Sequence, residues 1–153
     1  MASGAFIIPN KCKLSVIPAL ASAVATNWRL ALVGSGWTPD NSDTGNEVWA
    51  DMSAQEIANG NGYTTGGLTL TSVALSLASG TVKFTSASGS WTASGSGIPA
   101  WRRAVLYYLG TLNGKTNPVL AHALGDSTGV DVPLTAAGVP LNFVPNAAGI
   151  LTW

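Results

Sequence analysis

Residues Trp49 to Leu70 read WADMSAQEIANGNGYTTGGLTL, and this stretch sets the fold class because it carries a short helix start into a strand through one corner. Ser53 is placed as an N-cap, with Glu56 as the reciprocal partner of a capping box and Ile57 as the apolar contact of the single turn that follows. Asn59-Gly60-Asn61-Gly62 then offers consecutive residues that tolerate positive φ, so the helix ends at once and the chain reverses. Beyond Tyr63 and the pair Gly66-Gly67, Leu68 and Leu70 alternate with threonines in the manner of a half-buried strand.

Strand patterns continue on both sides of the corner. Upstream, Trp28, Leu30 and Leu32 alternate with Arg29, Ala31 and Val33, which predicts a strand buried on at least one face. Downstream, Leu68 to Phe84 changes parity around Thr71-Ser72, a bulge or a break between two strands, and Gly80 is the expected turn before Thr81 to Phe84. Ser86 to Gly97 is nearly all small residues around Trp91. Trp101 to Leu109 carries apolar side chains in both parities, so it is a central strand or one that faces another subunit. Asn113-Gly114 predicts a tight turn, and Pro118 to Gly125 is the returning strand, with His122 in the parity of Leu120 and Leu124. Val130–Leu134, Val139–Val144 and Ile150–Trp153 are the last short strands. The fold class is therefore all-β, a β-sandwich or barrel-like arrangement with one or two short helices.

Residues 1–27 read as an N-terminal arm followed by a broken helix or strand segment, and residues 28–153 as a single β-rich domain. Phe6-Ile7-Ile8 lies at the heart of an uncharged, extended arm, and its apolar side chains call for docking, either on this domain or on a neighbouring subunit. Pro18 interrupts any helix between Lys11 and Ala25.

The order W-x-D-M-S-x-x-E-I followed by G-Y-T-T-G-G-L-T-L resembles a β-rich domain of tailed-bacteriophage and prophage structural proteins. Trp28-Arg-Leu-Ala-Leu-Val, with Gly36-Trp37-Thr38-Pro39-Asp40 after it, is similar to that family's first strand and its exit. Arg103 to Tyr107 and Ala148 to Trp153 are similar to its central and final strands. The likeness runs from Trp28 to Trp153. It implies a virion structural protein and no catalytic residues, and by analogy a homo-oligomer, with a trimer as the expected state.

Composition narrows the classes of function. Charged residues make up only 9% of the 153 residues, against roughly 25% in ordinary soluble domains. Serine, threonine, asparagine and glycine must cover the surface, or partners in an assembly must. Seven basic residues balance seven acidic ones, and no basic cluster exceeds Arg102-Arg103, so the electrostatic footprint of a nucleic-acid binder is missing. No apolar run approaches the ~20 residues of a membrane span, and Pro9, Asn10, Lys11 and Lys13 break up any signal-peptide core. Cys12, the one cysteine, reads as a small buried hydrophobe.

Enzymatic patterns fail on chemistry. No G-x-S-x-G elbow occurs, and one histidine and one cysteine do not make a zinc site. Gly60-x-Gly62 leads into a strand, the reverse of a phosphate loop at a helix N-terminus. The acids Asp40, Asp43, Glu47 and Asp51 do not follow the calcium-loop spacing. The expectation is a non-enzyme without metal or cofactor.

The leading function is a capsid decoration or cement protein of the virion, synthesised in the host cytoplasm and bound to the major capsid protein or other virion proteins. A tail or head-fibre base is the alternative within the particle. A carbohydrate-binding sandwich using Trp37, Trp49, Trp91 or Trp101 is the alternative outside it. The residues expected to meet a partner are Phe6, Ile7 and Ile8 of the arm together with Trp37, Trp101, Arg102, Arg103 and Tyr108. Arg102 and Arg103 are expected in a surface ion pair or on a partner carboxylate.

Overall fold

The computed structural model describes residues 4–15, 19, 26–42, 45, 47–78, 81–147 and 149–152. Gly80, Asp43, Trp153 and most of the segment between Lys11 and Ala25 lie outside the described residues, and so do the expectations placed on them. In chain order the elements are the helix α1 (Asn10–Ser15) and the strands β1 (Trp28–Val33), β2 (Leu68–Thr69), β3 (Ala74–Ala78), β4 (Thr81–Thr85), β5 (Gly89–Thr92) and β6 (Arg103–Tyr108). They continue with β7 (Thr111–Leu112), β8 (Lys115–Thr116), β9 (Val119–Leu124), β10 (Pro140–Phe143) and β11 (Leu151–Thr152). The fold is all-β, and every strand pairing among the described residues is antiparallel.

The main sheet has the order β2-β1-β6-β9. β6 is central, which explains why it is apolar in both parities. Its register sets Trp28 opposite Tyr108, Leu30 opposite Leu106 and Leu32 opposite Ala104. That face looks toward the other strands: Trp28 meets Phe84 of β4 edge to face at 5.0 Å and Tyr108 at 5.3 Å. On the opposite face, Trp49 stacks on Tyr107 at 4.7 Å. β5 and β10 pair with each other, and β4 lies between β3 and β11. One apolar core links all of them through Leu30, Leu106, Phe84, Trp91 and Leu151.

Local chemistry accounts for the joints. Ser72, at φ 51°, sits in the break between β2 and β3, where the apolar parity changes. Asn113 and Gly114 both take positive φ and close the β7–β8 hairpin, as their pairing predicts. The stretch Val130–Leu134 is not a strand. Val132 makes a single bridge with Trp101 and Thr135 one with Ile98, because Pro133 between them has no N–H to extend a ladder. A second irregularity was not legible: the β6–β9 register shifts at Leu106/Tyr107, leaving Leu120 without a partner across the ladder.

The corner is also corrected. The chain forms two 3-10 turns, Trp49–Asp51 and Ser53–Gln55, and Ser53 does not cap by its side chain. Asp51 does that work upstream, its carboxylate accepting from the amides of Glu47 at 2.8 Å and Val48 at 3.0 Å. Glu56 is extended (φ −60°, ψ 139°) and bridges Val33 of β1. Its side chain serves a different set of donors.

Candidate functional site

Those donors lie within the corner. The Tyr63 hydroxyl donates to Glu56 Oε1 at 2.7 Å and accepts from the amide of Leu32 at 3.0 Å. The Gly66 amide donates to the same carboxylate oxygen at 2.7 Å, and the Tyr107 hydroxyl donates to the Gly66 carbonyl at 2.8 Å. Burial raises the Tyr63 hydroxyl pKa above its usual range and takes that of Tyr107 up to about 12, so both remain neutral donors. At Gly67, where φ is +76°, a side chain would overlap the Leu30 carbonyl, and glycine lets the corner lie flat on β1. The motif residues are thus a structural clasp.

A second cluster lies on the same face of the sheet. Trp37 stands edge to face with His122 at 5.3 Å, the Arg103 guanidinium lies 6.0 Å from the Trp37 ring, and His122 Nε2 is 2.9 Å from Asn41 Oδ1. His122 is buried, and desolvation, aided by the charge of Arg103, brings its pKa down to about 4. At neutral pH it is an uncharged core residue. Trp37 Nε1, Arg103 Nε and His122 Nδ1 are buried without hydrogen-bond partners. Arg102 pairs with Asp131 at 2.7 Å on the surface.

The arm docks on its own domain. The Ile7 amide donates to the His122 carbonyl, the His122 amide returns the bond at 2.9 Å, and the Gly4 amide donates to the Leu124 carbonyl at 2.9 Å. The free edge of β9 needs these partners, and the chain supplies them itself. Phe6 and Ile8 pack against the core, while Ile7 is 46% exposed. The intermolecular docking held open for the arm is therefore not the state of these residues here. Glu47, a buried carboxylate, receives Lys11 from α1 and Lys115 from β8, each at 3.2 Å through Oε2. Cys12 is fully buried, and burial pushes its thiol up to about 12.

The remaining candidate is a cleft of about 1020 Å³ between the main sheet and the strands across from it. Leu30, Leu32 and Ala104 form its floor, Phe6 and Trp101 line it, and Phe143 and Val144 come from the β10 side. None of its lining residues is ionisable. The sequence from Val132 to Thr152, which supplies much of the wall, contains no charged residue either. Along that stretch Leu134, Val139 and Val144 are 53%, 47% and 71% exposed, of which Val144 lines the cleft, and Val130 lies nearby in sequence at 54%. Sequence reading missed this region, although the unbroken absence of charge after Asp131 was the available signal.

The expected partner residues are thus scattered. Phe6 and Ile8 are half-buried, Ile7 is exposed on the arm, and Trp37 and Trp101 are buried. Arg102 is in its ion pair, Arg103 lies by Trp37, and Tyr108 packs on Trp28. The structure brings Phe6, Ile8 and Trp101 to the cleft and leaves the others elsewhere. Every described tryptophan is buried, and Trp91 and Trp101 are the two that line the cleft. Among the described residues there is also no group of acidic, histidine or cysteine side chains suited to a metal ion. No family model, curated protein or solved structure matches the chain.

Proposed function

We propose that the protein is a virion structural component of a tailed bacteriophage, a capsid decoration or cement protein that binds the particle through its low-charge surface. The observation that carries the reading is the exposed apolar set Leu134, Val139 and Val144 on a stretch without a single charge. A free-standing domain normally keeps charge on its strand edges and scatters its exposed apolar residues. A subunit held in an assembly has no such need. The motif likeness to phage structural proteins points the same way, and the exposed Ile7 adds an apolar contact on the other side of the sheet.

Copy number per particle tests the reading. Quantitative mass spectrometry of purified virions should find the protein in hundreds of copies, and particles lacking it should rupture at lower temperature or milder osmotic shock. A few copies confined to the tail would move it to a fibre base, and absence from particles would end the proposal.

A further inference from the structure

We infer that Asn113, at the tip of the β7–β8 hairpin, is a self-modification site, where the chain loses ammonia and converts the asparagine through a cyclic imide to aspartate and isoaspartate. The inference stands apart from the virion reading and needs no partner.

The chain holds three Asn-Gly pairs, Asn59-Gly60, Asn61-Gly62 and Asn113-Gly114. Glycine after asparagine favours the reaction, because no Cβ shields its amide nitrogen from the preceding side chain. As sequence the three pairs are equivalent, and the fold separates them.

In the corner both pairs are held. The Gly60 amide, the nucleophile of the first pair, donates to the Tyr63 carbonyl at 2.8 Å, and Asn59 Oδ1 accepts from the Thr65 amide at 3.1 Å. Asn61 Oδ1 accepts from the Ser96 amide at 3.3 Å, and the Asn61 carbonyl accepts from the Ser94 amide at 2.9 Å. The Gly62 α-carbon faces the Thr92 carbonyl so closely that a side chain there would overlap it. Ring closure at either pair must first break a hydrogen bond and turn backbone that its neighbours fix.

The hairpin lacks these ties. Asn113 and Gly114 are both exposed, and a Cβ at Gly114 would meet nothing within 4 Å. Among the described residues no backbone carbonyl accepts from the Gly114 amide. The turn joins strands of only 2 residues each, so little surrounding structure resists the rotation that brings the Gly114 nitrogen onto Asn113 Cγ.

The chemistry is complete without a cofactor. The Gly114 nitrogen bonds to Cγ, the Cγ–Nδ2 bond breaks, and Nδ2 leaves as ammonia with the proton given up by the Gly114 amide. Water then opens the imide. Attack at Cγ leaves aspartate, and attack at the main-chain carbonyl carbon leaves isoaspartate, with the backbone running through Cγ. Nothing is oxidised or reduced. Either product adds one negative charge to a chain whose formal charges otherwise cancel. That charge enters the hairpin of Lys115, whose ammonium lies 3.2 Å from Glu47 Oε2.

Ageing of the purified full chain at neutral pH tests this, with parallel samples kept folded and in urea. Peptide mapping by mass spectrometry reads deamidation at each asparagine, and an isoaspartyl methyltransferase assay identifies the isomer. In urea the three sites should convert at similar rates. In the folded protein Asn113 should convert at least about tenfold faster than Asn59 and Asn61, because each corner closure first gives up a hydrogen bond. Isoaspartate in the folded sample should disappear in Asn113→Gln, whose longer side chain closes the imide poorly, and circular dichroism checks that this variant is folded. Equal rates at the three sites of the folded protein overturn the inference, as does a corner site that leads, or an Asn113 that converts in urea and not when folded.

Discussion

Tyr63 and Glu56 form a hydrogen bond of 2.7 Å that ties the glycine-rich corner to β1, because the same tyrosine oxygen accepts the Leu32 amide. Tyr63→Phe removes the donor to Glu56 and strands a strand amide in the core. Unfolding in urea should reveal a loss of about 1–3 kcal/mol. A double-mutant cycle with Glu56→Gln should return a coupling of at least ~0.5 kcal/mol; additive losses would mean that the two side chains act separately.

Gly67 and Gly60 both have positive φ, but only Gly67 has backbone pressed against it. Gly67→Ala is expected to cost more than ~2 kcal/mol, whereas Gly60→Ala, facing open space, should cost about 1 kcal/mol from backbone strain alone. Thermal melts of the two variants make the comparison, and equal shifts in Tm would contradict the close packing of the corner on β1.

The folded pKa of His122 lies below its ordinary value, at about 4 against 6.5. The unfolded chain therefore binds the proton more readily. Its contribution to stability is complete above pH 6.5 and is lost as the pH falls toward 4, amounting to about 3 kcal/mol at ~1.4 kcal/mol per pH unit. Asp40 and Asp126, held below the usual carboxylate value by hydrogen bonds from Ser42 and Thr128, act only at lower pH. Urea unfolding from pH 7 to 4 should follow this slope, and His122→Gln should flatten it.

Glu47 joins the helix of the arm to the β7–β8 hairpin through Lys11 and Lys115. Glu47→Gln should lower stability by about 1–3 kcal/mol, since the charge-assisted contacts go while the amide stays buried. Hydrogen exchange at the Ile7 amide should rise more than exchange at Leu106. Unchanged exchange at Ile7 would separate the arm from this carboxylate.

What was legible in the chain was what neighbours in sequence decide. Trp28–Val33 announces a strand by alternation, Asn113-Gly114 a hairpin by its tolerance of positive φ, and Thr71-Ser72 a break by its change of parity. The corner misled because Ser53 and Glu56 have the right spacing for a capping box. The carboxylate instead found Tyr63 and Gly66, donors presented only once the chain has turned. The extra residue in β9 at Leu120 leaves no local mark, since apolar residues fill both sides of it. The role of the arm was undecidable for the same reason: its acceptor edge is made by residues far along the chain. The cleft was missed because Ala104 and Ala123, small residues that leave room, look like ordinary strand positions.

The pairing of Ile7 with His122 sets an order of events during synthesis. The arm leaves the ribosome before β9 does, and its seat does not exist until β9 has been made and has added to β6. Until then the apolar arm has no edge to pair with, and contacts so distant in sequence form late. Chaperone dependence and crowding sensitivity should therefore be properties of the growing chain, and both should vanish once the arm is in place on β9.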